Sequence, residues 1–354
     1  MSQQEDAANT SQMDSAPQPM ARPQRKWLGD IERLKGLAII LVVWGHTYDT
    51  AFPAWAIDLR KAIYAFHMPL FMFLSGYVFV YVGAHKLKGS LSAYTSKRAK
   101  RLLIPFFIMA AIVILGKFFA GQFVSVDKPV NDLLLSVQHV FIHTEQSPSM
   151  FVWYLIVLFY FSIGTTFLFS RMNVSLNILF AASIIMFGLH VMMFYSDSIL
   201  DYVYINRIFM FYAFFMAGCV ACLHKDVWER FVERYFIPAT AVFLVLLYLS
   251  FDSEWRYFLV GMASLVVFHG LIRSRLCNQN RVLEFIGQNA FAIYLLNTMF
   301  VGAVKAVFGR FFSVSDQALL LLLLATTAGV VGPIIVKYAI GRIGSLRPIA
   351  AAME

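Results

Sequence analysis

Five side chains in the first third of the sequence have types and spacings that could do chemistry. His46 closes the apolar run KGLAIILVVWGH, which Lys35 opens. Eleven residues separate the two, so on a helix they share a face, about 20° short of coincidence, with the imidazole about 16 Å beyond the ammonium. His67 stands in FHMPLFMFLSGY. An imidazole titrates near neutral pH, so it can serve as a general base or carry an acyl group covalently. Arg98 and Arg101, in KRAKRLLIPFF, lie three apart on one helical face, where their planar forks suit phosphate groups. Blander readings stand beside these. Either imidazole could bond a backbone carbonyl across helices, and the arginines could be cytoplasmic anchors, although anchoring does not account for Pro105 following so closely.

The elements that must position these groups are membrane helices. At 60% hydrophobic, 14% charged and a mean hydropathy of +0.69, the chain is too apolar for a soluble globule of its size. Ten spans of membrane-crossing length are predicted, near 34–53, 59–81, 102–124, 151–170, 174–194, 204–223, 236–251, 256–272, 285–308 and 317–338. Each is expected to be helical, because lipid offers backbone amides no other partner. The fold class is therefore all-α, a polytopic bundle of about ten transmembrane helices. If the N-terminus is cytoplasmic, 21 of the 29 Lys and Arg fall at cytoplasmic ends, which places both termini there. This bias explains the formal charge of +9 without a nucleic-acid partner.

On this scheme Lys35 sits at the cytoplasmic surface and His46 near mid-membrane, while His67 lies about 12 Å inside the opposite surface. An ionisable group at such depth is costly and normally faces a cavity or a partner. The two helices are joined by a short loop, which predicts that their histidines approach one another. Pro69 frees a backbone carbonyl and Gly76 permits close packing, both consistent with a polar cavity.

Elsewhere the sequence is plainer. Residues 1–26 are polar and free of aromatics until Trp27, which predicts a disordered cytoplasmic tail, and no cleaved-signal layout is present. The membrane domain is expected over 27–341 and a short cytoplasmic tail over 342–354. Three cysteines give neither a disulfide framework nor a metal site, and Cys219 and Cys222 read as packing residues. The stretch near 125–150 is the longest expected outside the membrane and is too small for a core of its own.

Taken together, IERLKGLAIILVVWGH, FHMPLFMFLSGY, KRAKRLLIP, FVWYL and EFIGQNAFAIYLL resemble the membrane-bound acyltransferase-3 family in its fucose 4-O-acetylase-like branch. The match in order and spacing runs from about residue 27 to 338. The resemblance implies ten spanning helices and transfer of an acyl group, usually acetyl from acetyl-CoA, to a hydroxyl of an envelope or secreted glycan or a lipid-linked oligosaccharide. It maps the family's basic residue and histidine onto Lys35 and His46, and its paired arginines onto Arg98 and Arg101. His46 and His67 are then the catalytic candidates, with Lys35, Arg98 and Arg101 holding the CoA phosphates from the cytoplasm. Glu32, Trp153 and Asn297 are implied as substrate-binding or supporting residues, with no metal, in a bacterial inner membrane. Glu32 stands where many members have Asp, which keeps the charge. Asn297 stands where many have His, and an amide cannot exchange a proton, so a base must be His46 or His67. Whether His46 acts as base or as acyl carrier stays open. The rival class is a transporter or flippase of a lipid-linked sugar, which would show internal repeats and paired broken helices. A structural scaffold would leave the Lys35, His46, Arg98 and Arg101 pattern unexplained.

Overall fold

The computed structural model describes residues 28–87, 89–123, 128–196, 202–249 and 253–347, together with 350 and 353. The expected tail over 1–26 lies outside them, as does part of the one over 342–354. Among the described residues there is no strand, only a lone antiparallel bridge between Ile142 and Tyr202. The α-helices are α1 (Gly29–His46), α2 (Ala54–Tyr64), α3 (His67–Tyr81), α4 (Leu91–Ala120), α5 (Leu133–Gln138), α6 (Trp153–Ser170) and α7 (Leu176–Tyr195). They continue as α8 (Ile205–Leu223), α9 (Lys225–Tyr248), α10 (Glu254–Arg273), α11 (Arg281–Gln288), α12 (Ala290–Phe311) and α13 (Ala318–Arg342).

Nine segments among the described residues are long and apolar enough to cross a membrane, α2 and α3 counting together as one. The chain is an all-α, multi-pass membrane bundle. The expected span that falls outside this set is the first. Asp30, Glu32, Arg33 and Lys35 crowd the first two turns of α1, so its apolar stretch begins only at Gly36. The segment Ala54–Tyr81 is central, with 78% of its apolar window buried, whereas α9 is peripheral at 11%. The outward faces of α4, α7, α9 and α13 are correspondingly rich in exposed Ile, Leu, Val and Phe, the surface that lipid covers.

Three connections differ from the sequence reading. The second span is broken at Ala65 and Phe66. Pro69 falls in the first turn of α3, where its missing N–H has no helical partner to lose and so, against the expectation from sequence, frees no carbonyl within the helix. Phe66 stacks on Phe268 at 4.9 Å and meets Phe243 edge-on at 5.3 Å, which pins the break. Only His224 separates α8 from α9, so Lys225, Arg230 and Arg234 ride on a helix and not in a loop. The ninth span is broken at Asn289, whose Nδ2 donates to the Phe285 carbonyl at 2.9 Å and whose Oδ1 accepts from buried Lys337 at 3.0 Å.

Two helix crossings bring main chain against main chain. A Cβ on Gly76 of α3 would lie 1.8 Å from the Phe215 carbonyl oxygen of α8, and one on Gly218 of α8 would lie 1.9 Å from that of Phe73. The second crossing repeats the pattern between α1 and α11, at 2.0 Å for Gly36 against Leu283 and 1.8 Å for Gly287 against Glu32. Small residues give such contact in membranes, where apolar side chains gain little by leaving lipid for one another. The expectation of close packing at Gly76 is met, and the helices that carry His46 and His67 are each held by one such crossing.

Candidate active site

His46 is the last residue of α1, which stops where the Thr47 amide turns back to the Trp44 carbonyl at 3.0 Å. The preceding residue has to be small. A Cβ on Gly45 would stand 2.8 Å from the Tyr64 ring. The Gly45 carbonyl accepts from both Tyr64 Oη and Arg60 Nε, each at 3.3 Å. Arg60 is clamped between the Tyr48 and Tyr64 rings, its guanidinium carbon 4.2 and 4.3 Å from their centroids. On the other side Tyr64 leans on His67, with ring centroids 4.7 Å apart. His67 is buried at the first position of α3, where its Nδ1 donates to the Ile63 carbonyl at 2.9 Å. A carbonyl only accepts, so Nδ1 carries a proton, and in the neutral ring Nε2 keeps its lone pair. The bland reading of His67 is thus met in part: it does bond a backbone carbonyl, but that of the preceding turn. Tyr64, packed on His67 and bonded to the carbonyl of the residue before His46, thus joins the two histidines and Arg60 in one cluster, as the short α1–α2 loop predicted for the histidines.

The end of the stretch expected outside the membrane folds back onto this site. After α5, the backbone runs through short 3₁₀ turns at Thr144–Gln146 and Met150–Val152, with Thr144, Ser147, Ser149 and Val152 buried. Its end, Phe151, meets the His46 ring edge-on at 6.4 Å. The Phe151 carbonyl accepts from Tyr294 Oη at 2.8 Å, and Tyr294 packs against Tyr154 at 5.3 Å. Ser75 Oγ donates to the Phe71 carbonyl at 2.8 Å, so the Tyr154 phenol donates to Ser75. Trp153 stacks on Phe211 at 5.0 Å and under Arg207 at 5.3 Å, and Arg207 pairs with Glu145 at 2.6 Å.

The other sequence candidates are dispersed. Lys35 is taken up by Glu32, one turn earlier, at 2.8 Å. Arg98 donates from Nε to Tyr94 Oη at 3.0 Å, and Arg101 is exposed three residues on. Both ride on α4, which packs mainly on α6, whereas α1 packs on α11, α12 and α3. Asn297 lies buried in α12 with its amide nitrogen shared between the Ile293 and Tyr294 carbonyls, at 2.8 and 2.9 Å. Its Oδ1 is buried without a partner, an open acceptor inside the bundle.

Sequence reasoning missed a second polar cluster at the start of α1. Trp228 Nε1 donates to His269 Nδ1 at 2.9 Å, which leaves the His269 proton on Nε2, facing Asp30 Oδ2 at 3.5 Å. Arg273 bridges Asp30 at 3.1 Å and Glu233 at 2.6 Å. A pocket of about 350 Å³ opens here, lined by Asp30, Arg33, Tyr81, Lys225, Glu229 and Arg273. The partners come from α1, α9 and α10, so no spacing announced them. The one local signal was a histidine inside the apolar stretch VVFHGL.

A multi-pass bundle that gathers a buried and a half-buried imidazole beside an arginine has the build of an integral membrane enzyme. The profile of the acyltransferase-3 family, described as an acyltransferase domain, matches residues 28–342, nearly the whole chain, and the protein belongs to that family of acyltransferases. It is similar over a shorter stretch to the nodulation protein NolL of Sinorhizobium fredii (strain NBRC 101917 / NGR234). That match is 39% identical over 92 residues, 25% of this chain and 24% of the relative. NolL of Mesorhizobium japonicum (strain LMG 29417 / CECT 9101 / MAFF 303099) is 34% identical over 84 residues, 22% of each chain. The chain thus spans about a quarter of the length of the curated relatives it matches. No solved structure matches it.

Proposed function

We propose that this acyltransferase moves an acetyl group from cytoplasmic acetyl-CoA to a hydroxyl of a cell-surface or secreted glycan. It would work in a bacterial inner membrane with both termini in the cytoplasm, as a member of the fucose 4-O-acetylase-like branch. The observation that carries this reading is the assembly of His46, His67 and Arg60 at one end of α1, opposite the charged end that holds Lys35. On this reading Arg98 and Arg101 hold the CoA phosphates at the cytoplasmic side, and Lys35 joins them only by leaving Glu32. The pantetheine arm reaches inward along α1 toward His46. The acceptor hydroxyl gives its proton to an imidazole, and the thiolate of CoA takes a proton as it leaves. The unpartnered Asn297 Oδ1 accepts from a donor or acceptor N–H or O–H on the way. Positioned acid–base help of this kind contributes roughly 10²- to 10⁴-fold.

The breaks at Ala65–Phe66 and Asn289 are a feature that a carrier of lipid-linked sugar would also show. One experiment separates the readings. Surface glycans from cells with and without the protein are compared for O-acetyl content, and the purified protein is assayed for CoA release from acetyl-CoA with a glycan extract as acceptor. The acyltransferase gives O-acetyl groups that depend on the chain and CoA release that depends on acceptor. A carrier gives neither.

A further inference from the structure

We infer that Arg60 is the residue that receives the negative charge developing on the acyl carbonyl oxygen during transfer. The inference rests on the acyltransferase reading and assigns that site its anion-stabilising group.

Arg60 is an unusual cation for this end of the bundle. Its neighbours are neutralised: Lys61 pairs with Asp58 at 3.5 Å and Lys305 with Asp49 at 3.3 Å. Among the described residues no carboxylate pairs with Arg60, and its two terminal nitrogens have no acceptor. Nor is it a loose surface side chain. Two tyrosine faces hold the guanidinium plane, and Nε is bonded to the carbonyl of Gly45, the residue that precedes His46. Tyr64 in turn touches both Arg60 and His67, so one ring sets the spacing of the guanidinium from the second imidazole. A fixed, half-buried cation with free donors beside two imidazoles calls for an anion, and acyl transfer makes one at this place.

In the step itself, the acceptor oxygen bonds to the thioester carbonyl carbon as its proton passes to an imidazole. The C=O π pair moves onto oxygen, and the resulting oxyanion takes hydrogen bonds from the terminal nitrogens of Arg60. Collapse restores the double bond and breaks the C–S bond, and the thiolate leaves with the proton that the imidazole held. Donors preorganised for such an oxyanion are worth about 10²- to 10³-fold in kcat apiece. They add little to the affinity for the neutral thioester, because the charge appears only in the transition state.

The test uses the full chain in lipid nanodiscs, wild type against Arg60→Gln and Arg60→Lys, assayed for CoA release with the glycan extract. Calorimetry is run beside it with acetyl-CoA and with an analogue that replaces the acetyl carbonyl by an anionic phosphonate. Arg60→Gln is expected to lower kcat about 10²- to 10³-fold with the acceptor KM and the acetyl-CoA affinity nearly unchanged. The phosphonate should lose affinity by a comparable factor, and Arg60→Lys should not restore either quantity, since lysine lacks the fork and the Nε anchor. Three results overturn the assignment. Wild-type kcat in Arg60→Lys would mean that Arg60 only anchors to lipid headgroups by charge. A raised acceptor KM with kcat intact would mean that it binds an anionic acceptor. Equal losses for phosphonate and acetyl-CoA would remove the transition-state role. Failure of the wild type to release CoA at all would strike the acyltransferase reading instead, and the phosphonate comparison would still judge Arg60.

Discussion

His67 and His46 differ in what holds them. The Nδ1 bond to Ile63 fixes His67 in one tautomer, while His46 is held by ring packing against Phe151 and by the end of its helix. His46→Ala is therefore expected to insert and keep its helicity, since alanine suits a helix end, and to lose transfer by about 10²-fold or more. CoA release together with circular dichroism checks this, and near wild-type turnover in a folded variant refutes the role. His67→Asn keeps a donor for the Ile63 carbonyl but removes the Nε2 lone pair, so it should hold the fold and still lose activity. At the donor end, Arg98→Lys combined with Arg101→Lys preserves charge and removes the planar forks. Each lost charge-assisted bond is worth roughly 1.5–3 kcal/mol, so acetyl-CoA affinity should fall about tenfold or more in calorimetry at matched salt. Equal affinities would leave the arginines as anchors. The two histidines were legible in the sequence because a polar residue in an apolar run stands out against its neighbours. Arg60 was not, because its meaning comes from Tyr48, Gly45 and Tyr64, which meet only when α2 folds back beside the end of α1. His269 needed partners from two other helices, Trp228 of α9 and Asp30 of α1.

Among the elements, the spans were legible because hydropathy and length follow from the bilayer alone. Their breaks were not. Nothing in Ala65 or Phe66 forbids a helix, and it is the aromatic seat on Phe243 and Phe268 that ends α2 there. Asn289 likewise breaks the ninth span with help from Lys337, contributed by a helix further along the chain. That Thr144, Ser147, Ser149 and Val152 are buried could not be read from the sequence, because the residues that cover them come from elsewhere in the chain. The glycine crossings make a sharp prediction at this scale. Gly76→Ala and Gly218→Ala each put a methyl within 2 Å of a carbonyl oxygen, so the helices must part. Overpacking of this kind costs about 1–3 kcal/mol. Gly164→Ala and Gly302→Ala, which meet nothing within 4 Å, serve as controls and should match or exceed the wild type. Thermal unfolding in detergent reads the difference, and equal stability of all four variants would contradict the crossing geometry.

For the whole molecule, the basic residues argue an orientation that reporter fusions can test. Fusions after Gly89 and Asn278 should report a cytoplasmic location, and those after Val130 and Ser315 an exported one, if the positive-inside bias governs. A cytoplasmic signal after Val130 would invert the depth assigned to His46. Because the first turns of α1 are charged, that helix depends on α11 and α10 for cover in a way the other spans do not: Arg33 pairs with Glu284, and Asp30 pairs with Arg273. The crossings have one more consequence. His46 and His67 each sit on a helix that meets a neighbour carbonyl against glycine, with no side chain between. Positions set by main chain alone offer nothing for substitution to adjust by degrees, so an attempt to breed a new acceptor preference into this protein would find α1 and α3 immovable. Its usable variation would lie at the rim, in the α1–α2 connection and the folded-back stretch that ends at Phe151.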